Sequence, residues 1–272
     1  MMIAPIGYAI YQSFFKLHRS GLGLTPPTQV FAWFANYLDA LSDSAFMSSL
    51  LRVLILGVIQ VPVMLGIALV LALLLDSRSA SFKRAFRLIY FLPYALPGVI
   101  ATIMWSFLLQ KDISPFSGLL GHVGLQVDFL SPQVVLASIG NMITWGWTGY
   151  NMLVIYSALQ AIPAELTDAA MMDGCSGWRL AWHVKVPLVR PALVLTTVFS
   201  IIGTAQLYTE PFVLLRIAPS VTANYTPLMA AQHAADVDNY NYAAAESIIL
   251  ALLTLVLSFG FLKFVQRKGV MT

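Results

Sequence analysis

The fold of this chain is constrained most by five long apolar runs, at about 50–75, 89–110, 133–160, 191–215 and 244–265. A helix needs about 20 apolar residues to cross the hydrocarbon core of a bilayer, and each run meets or approaches that length. Only 10% of the 272 residues are charged. Soluble domains carry about 25%, so there is too little charge here to cover a water-facing surface. Backbone polar groups in lipid must be bonded within their own segment, so the sequence predicts an all-α membrane protein.

A sixth apolar run, at about 1–17, is shorter and ends near Lys16. It lacks the basic leading segment and the small-residue cleavage site of a signal peptide. We interpret it as the end of a first span whose beginning is missing or whose start codon is placed late. The prediction is then about six transmembrane helices in a single transmembrane domain over residues 1–272. Four prolines lie inside the runs and are expected to kink the helices: Pro62, Pro93, Pro97 and Pro211.

Basic residues are divided unevenly between the two ends of the predicted helices. If six spans alternate, ten of the fifteen Lys and Arg residues fall on one side, in the loop 76–88, the central loop 161–190 and the tail. The positive-inside rule places that side, and therefore both termini, in the cytoplasm. This distribution explains the net charge of +3 without a nucleic-acid partner. The ten residues are Arg78, Lys83, Arg84, Arg87, Arg179, Lys185, Arg190, Lys263, Arg267 and Lys268.

The sequence contains no recognisable catalytic or metal-binding motif. No lysine is followed by Ser or Thr, so the chain lacks the phosphate-binding loop of the Walker A type. The four histidines are scattered over different loops, which is poor spacing for a metal site, and Cys175 is the single cysteine. The sequence therefore predicts a protein that is not an enzyme and holds no cofactor of its own.

One acidic residue, Glu210, lies within the fifth apolar run, next to Pro211. An ionisable side chain within a span is a functional hypothesis by default, because its burial in lipid is costly. The alternative is that Glu210 reaches the outer interface or pairs with Arg216. A carrier driven by protons or sodium would be expected to contain several such residues.

The polar segment between the fourth and fifth runs has the signals of two short helices. Pro163 is suited to open the first, and Glu165 and Asp168 lie near its amino end, where the helix dipole favours acids. Gly174 is expected to end it in a left-handed conformation. A second helix is predicted over 176–184, after which Pro187 and Pro191 set the entry to the fifth span.

This segment resembles the EAA loop of the integral membrane permeases of binding-protein-dependent ABC importers. The family pattern is E-A-A, three residues, Gly, nine residues and I-x-L-P. This chain has Asp168-Ala169-Ala170, three residues, Gly174, nine residues and Val184-Lys-Val-Pro187. Asp replaces the usual Glu, and Val replaces Ile and Leu. The flanks at 91–97, 149–151 and 159–163 also resemble the family, most closely its maltose-type sugar and sugar-phosphate branch.

The resemblance implies the architecture of an ABC type I importer permease in the inner, or plasma, membrane of a bacterium. The partners it implies are a second homologous permease, a dimer of cytoplasmic ABC ATPases and an extracytoplasmic binding protein or lipoprotein. ATP and Mg²⁺ would be bound by the ATPase, and the central loop would act as a coupling helix docked on it. The residues expected at that contact are Glu165, Asp168, Ala169, Ala170, Asp173, Gly174 and Pro187.

Family analogy places the substrate near mid-membrane, on faces of the fourth and fifth spans. Aromatic rings stack on the C–H faces of sugars, and hydroxyl and amide groups replace water. The alternative is that the Ser and Thr residues serve in helix packing and the Trp residues as interface anchors. The expected pathway residues are Asn141, Trp147, Tyr150, Asn151, Ser200, Thr204, Gln206 and Glu210, with Thr196 on the face of Ser200 and Thr204.

The predicted function is that of a permease subunit forming half of the translocation path for an oligosaccharide or disaccharide, or a derivative of one. The spans contain no strong basic cluster, which argues against a highly anionic substrate. A secondary carrier or channel for a small polar solute is the alternative, and the absence of a clear internal repeat argues against it.

Overall fold

The structure, a computed structural model, describes residues 3–18, 28–77, 80–111, 113–122, 124 and 127–267. Arg78 and Lys268, two of the residues used to predict orientation, lie outside this part of the chain. The elements up to the third apolar run are α1 (Ile3–Ser13), β1 (Phe15–His18), β2 (Thr28–Phe31), α2 (Ala35–Ser42), α3 (Ser44–Asp76), α4 (Lys83–Ala95), α5 (Gly98–Leu109), α6 (Pro115–His122) and α7 (Val135–Gln160). The later elements are α8 (Ala164–Met172), α9 (Gly177–Leu180), a π-helical turn (Ala181–Lys185), α10 (Val186–Leu188), α11 (Arg190–Ala205), α12 (Thr209–Leu214), α13 (Pro227–Asp236) and α14 (Tyr240–Arg267).

Three helical segments in the described part of the chain are long and apolar enough to cross a membrane. They are α3 with 33 residues, α11 and α12 taken together as Arg190–Leu214, and α14 with 28 residues. The pair α4 and α5 passes the same test as a broken span. The helix α1 has 11 residues, fewer than the about 20 needed to cross lipid, and it packs against α14.

The fourth apolar run forms α7, a helix of 26 residues that is long enough to cross a membrane but is not among those that pass this test of hydropathy. Several of its polar side chains are covered by protein, because α7 packs along α3 and α4. Thr148 and Asn151 are both buried, and Ile139, Met152 and Ile155 are fully enclosed among the apolar side chains around them. Polar groups in a membrane helix are stable where neighbouring helices cover them, so α7 is the central helix of the bundle.

The third apolar run, predicted as one kinked span, is two helices that meet at an angle of 93°. Leu96 and Pro97 separate them, and both residues are extended, with ψ angles of 137° and 127°. The residue before a proline is disfavoured in the α-helical conformation, so Pro97 prevents α4 from continuing. Pro62, by contrast, lies inside α3 without ending it.

The fifth run was also predicted as a single helix and is also interrupted. The helix α11 ends at Ala205, and α12 begins at Thr209. Pro211 has no N–H to donate to the carbonyl oxygen of Leu207, four residues before it. The hydroxyl of Thr226 donates to that carbonyl at 2.8 Å instead, which satisfies a group that would otherwise be left unpaired.

The segments 18–48 and 216–243, which lie between predicted spans on the side opposite the central loop, contain regular structure where they are described. The helices α2 and α13 both pack against α14 and cover its outer end. The strands β1 and β2 form an antiparallel pair in which Phe15 faces Phe31 and His18 faces Thr28. These segments therefore cap the bundle.

Candidate functional site

The central loop begins with the helix predicted for it. The helix α8 follows Pro163, has Glu165 in its first turn and ends at Met172, two residues before Gly174, whose φ is +83°. The N–H of Gly174 donates to the carbonyl of Met171 at 3.0 Å, and that of Cys175 to the carbonyl of Ala170 at 2.9 Å. This is the hydrogen-bond pattern of a Schellman motif, in which a glycine ends a helix. The predicted role of Gly174 as the end of the helix is confirmed.

The second helix of the loop is longer than predicted. The chain is helical from Gly177 through a π-helical turn, Ala181–Lys185, and on to Leu188. The prediction ended this helix at residue 184 and placed Pro187 beyond it, and both points are wrong. Pro187 lies in α10, directly after the π-helical turn. Its ring would clash with the carbonyl group four residues earlier in a regular α-helix, and the wider π turn avoids this clash.

Most of the residues predicted to contact an ATPase lie on the surface of the loop. Ala170 and Pro187 are half-buried, and the exposed ones are Glu165, Asp168, Ala169, Asp173 and Gly174. Large apolar side chains surround them: Met172 is 89% exposed, and Trp178 and Trp182 are stacked with ring centroids 5.7 Å apart. Soluble proteins seldom leave such groups together in water, so this surface has the character of an interface.

The loop is joined to two spans through Asp76, the last residue of α3. The ammonium group of Lys185 donates to Asp76 Oδ2, and Gln160 Nε2 at the end of α7 donates to Asp76 Oδ1 at 2.6 Å. The side chains of Lys185 and Asp76 are 17% and 10% exposed, so their ion pair is largely buried. Sequence reasoning missed this junction, because its three members are far apart in the chain.

A cavity of about 210 Å³ lies between α7 and the α11–α12 segment. Seven of the eight residues predicted for the substrate pathway line it: Trp147, Tyr150, Asn151, Ser200, Thr204, Gln206 and Glu210. The eighth, Asn141, is exposed and lines a different cavity beside Phe116 and Phe129. It is two turns from Trp147 along α7, so placing Asn141 with the others was wrong.

The aromatic residues of the cavity belong to a larger cluster. The ring centroid of Tyr94, from α4, lies 4.9 Å from that of Tyr150 and 5.2 Å from that of Trp147. Tyr94 also lines an adjoining cavity of about 140 Å³, together with Trp105 and Trp145. Its place in the cluster depends on the packing of α4 against α7, and no sequence signal indicated it.

Several polar groups near the cavity are engaged in the bundle itself. Thr204 Oγ1 donates to Oε1 of Gln60, a buried residue of α3, at 3.3 Å. Thr196 is buried and its hydroxyl donates to the carbonyl of Ala192 at 3.0 Å, so it does not share the cavity with Ser200 and Thr204. Thr196 therefore serves in helix packing, which was the alternative considered for the Ser and Thr residues, while Ser200 lines the cavity.

Glu210 lines both the larger and the smaller cavity. Among the described residues it forms no salt bridge, and Arg216, the partner considered above, is exposed. The break between α11 and α12 directs the first turn of α12, which contains Glu210, toward these cavities. The interpretation of this residue as a partner of Arg216 is therefore wrong.

Comparisons with known proteins agree with this arrangement. Residues 64–269 match the family described as "Binding-protein-dependent transport system inner membrane component". The lactose transport system permease protein LacF of Rhizobium radiobacter is 30% identical over 253 residues, which cover 84% of this chain and 79% of LacF. The sn-glycerol-3-phosphate transport system permease protein UgpA of Agrobacterium fabrum is 28% identical, over 97% of this chain and 89% of UgpA.

The fold is also that of a solved transporter chain. A chain of a bacterial ABC transporter involved in the import of the acidic polysaccharide alginate superimposes with a TM-score of 0.77 at 20% identity, covering 86% of this chain and 84% of that one. The predicted fold class, an all-α permease of the ABC importer type, is confirmed. With the family match extending from α3 to the end of α14, this chain belongs to the family of binding-protein-dependent transport system inner membrane components, the permeases of ABC importers.

Proposed function

We propose that this chain forms half of the translocation path of an ATP-driven importer for a sugar or a sugar derivative. The observation that carries the proposal is the cavity between α7 and α11–α12, which combines aromatic rings with hydroxyl, amide and carboxyl groups. Trp147 and Tyr150 present faces suited to the C–H groups of a sugar ring, and Asn151, Ser200 and Gln206 are suited to its hydroxyls. A second, homologous permease subunit would complete the path.

The names of related proteins support a sugar or a sugar derivative as the substrate. Relatives are named for lactose, for sulfoquinovosyl glycerol and for sn-glycerol-3-phosphate, and the solved relative imports alginate. All four are sugars or polyols, or their derivatives. We infer an oligosaccharide or disaccharide, or a derivative of one, as the substrate, delivered by an extracytoplasmic binding protein or lipoprotein.

The energy would come from a dimer of separate ABC ATPases that binds ATP and Mg²⁺, with no cofactor in this chain. The central loop, 161–190, is the proposed docking element within a single permease domain. Its exposed acidic and apolar side chains support this role. The basic residues in the loop and near the carboxyl end support a cytoplasmic location for this face and for both termini.

Reconstitution tests the proposal against the alternative of a self-sufficient carrier or channel. We expect liposomes that contain this chain alone to take up no sugar, with or without ATP. Uptake should require the second permease, the ATPase and the binding protein together, since the chain has no ATP-binding motif. Sugar uptake by the chain alone would contradict the proposal.

The substitution Gly174→Arg is expected to uncouple ATP hydrolysis from uptake. Arginine at a φ of +83° is strained by about 1–2 kcal/mol and would place a long side chain on the proposed docking surface. We expect sugar uptake per ATP hydrolysed to fall roughly tenfold or more. A tenfold fall corresponds to a loss of about 1.4 kcal/mol in the free energy of docking between the loop and the ATPase. Gly174→Asn is the control, because asparagine tolerates this conformation and is small. Unchanged coupling in Gly174→Arg would rule out docking at this end of α8.

A further inference from the structure

In this chain, the two cavities of the proposed substrate path are lined by one acidic residue and by no basic residue. Glu210 is the single charged residue among those that line the larger cavity, and it is also the single one among those that line the smaller cavity. Neither lining includes Lys, Arg or His. We propose that Glu210 is a specificity-determining residue that admits neutral and cationic sugars and rejects anionic ones. The proposal rests on the proposed function.

Glu210 is placed where a substrate must meet it. It is one of two residues that line both cavities, the other being Trp147, so it lies at their junction. The smaller cavity extends from this junction toward the bend between α4 and α5, along Tyr94 and Gly98. A sugar that passes from one cavity to the other therefore has to pass Glu210 and Trp147.

The chemistry of the carboxyl group favours some sugars over others. A carboxylate accepts hydrogen bonds from two neighbouring hydroxyls at once, or from the ammonium group of an amino sugar. A carboxylate or phosphate on the substrate would instead lose its hydration without gaining a positive partner from this chain, because none of its basic side chains lines either cavity. When Glu210 is ionised, repulsion between like charges adds to that cost.

The described part of the chain offers no internal counter-charge that would cancel this effect. Glu210 forms no salt bridge within it, and Arg216, the nearest basic residue in sequence, is exposed. The inference separates this chain from relatives that carry anions, such as the one named for sn-glycerol-3-phosphate and the importer of acidic alginate. It predicts a different charge class of substrate within the same family.

Ligand binding to the complex of both permeases and the ATPase, without the binding protein, tests the proposal. The probes are lactose, maltose and raffinose as neutral sugars, glucosamine and galactosamine as cationic ones, and glucuronate, galacturonate and glycerol 3-phosphate as anions. Binding is measured by tryptophan fluorescence and by the shift in Tm at constant ionic strength. For the unmodified complex we expect the anions to bind at least about tenfold more weakly than the best neutral or cationic probe.

Variants then assign this selectivity to Glu210. Glu210→Gln should reduce the discrimination against anions to roughly threefold or less, and Glu210→Lys should reverse it. The control is Asp236→Asn, which removes an exposed acid from the outer helix α13 and should leave the selectivity unchanged. Tight binding of an anion by the unmodified complex, or selectivity that is the same in all Glu210 variants, would overturn the proposal. If no probe of any charge is bound, the proposed function fails instead, because the cavity is then not a sugar site.

Discussion

The substitution Gly149→Ala is expected to disrupt the packing of α4 against α7. A Cβ atom at Gly149 would lie 2.6 Å from the carbonyl carbon of Tyr90 and 3.0 Å from the Cα of Phe91, and closer still to the carbonyl oxygen of Tyr90. These are backbone atoms, so no side-chain rotation relieves the clash and the two helices must move apart. Overpacking of this kind costs about 3 kcal/mol. We expect the Tm of the purified complex to fall markedly, or the folded complex to be lost.

Gly146→Ala is the matched control, because it lies about one turn earlier in the same helix. No atom lies within 4 Å of the Cβ that alanine would add at Gly146. Alanine favours helix over glycine by up to about 1 kcal/mol, so this variant should be as stable as the original or more stable. Size-exclusion chromatography and thermal unfolding of the two variants compare them directly. Equal stability of both would show that α4 and α7 are not packed as closely as described.

The second large effect is expected at the buried junction of the central loop. Asp76→Ala leaves the ammonium group of Lys185 largely buried without its partner, and the loss of one member of such a pair costs about 3 kcal/mol. It also removes the contact of Asp76 with Gln160, so the loop loses its polar connection to both α3 and α7. We expect lower stability and, in the reconstituted complex, less sugar uptake per ATP hydrolysed.

A double-mutant cycle separates the pair from the individual side chains. Asp76→Ala combined with Lys185→Ala should be less destabilised than the sum of the single variants, because neither charge is then buried alone. Asp39→Ala is the comparison, since the ion pair of Asp39 and Lys16 is exposed, and its loss should cost less than about 1 kcal/mol. Additive effects of the two substitutions at Asp76 and Lys185 would contradict a coupled junction.

Local sequence patterns were sufficient to predict α8, the first helix of the central loop. Pro163, Glu165 and Gly174 act within one short helix, and the hydrogen bonds that end it join residues five or fewer positions apart. The pattern from Asp168 through Gly174 to Pro187, together with its flanks, carried the resemblance to the family. Signals of this kind are visible in sequence because the residues that interact are close in the chain.

The proposed substrate cavity was predictable in part. The family resemblance pointed to the fourth and fifth spans, and seven of the eight polar and aromatic residues chosen there line one cavity. Asn141 was misplaced because composition does not give the depth of a residue along a helix. Tyr94 and Gln60 were missed because they reach the site from α4 and α3, whose positions depend on packing.

The sequence by itself determined that this protein lies in a membrane, that it is helical and which family it belongs to. Hydropathy, charge and motif spacing are properties of the chain. Only the tertiary structure decided where the membrane-spanning helices are interrupted and which side chains come together at the interruptions. The 93° bend at Leu96–Pro97 and the break before Thr209 bring Glu210 and Trp147 to the junction of two cavities. The physical reason is that a proline removes one backbone donor wherever it occurs, whereas the groups that compensate, such as the hydroxyl of Thr226, come from distant parts of the chain.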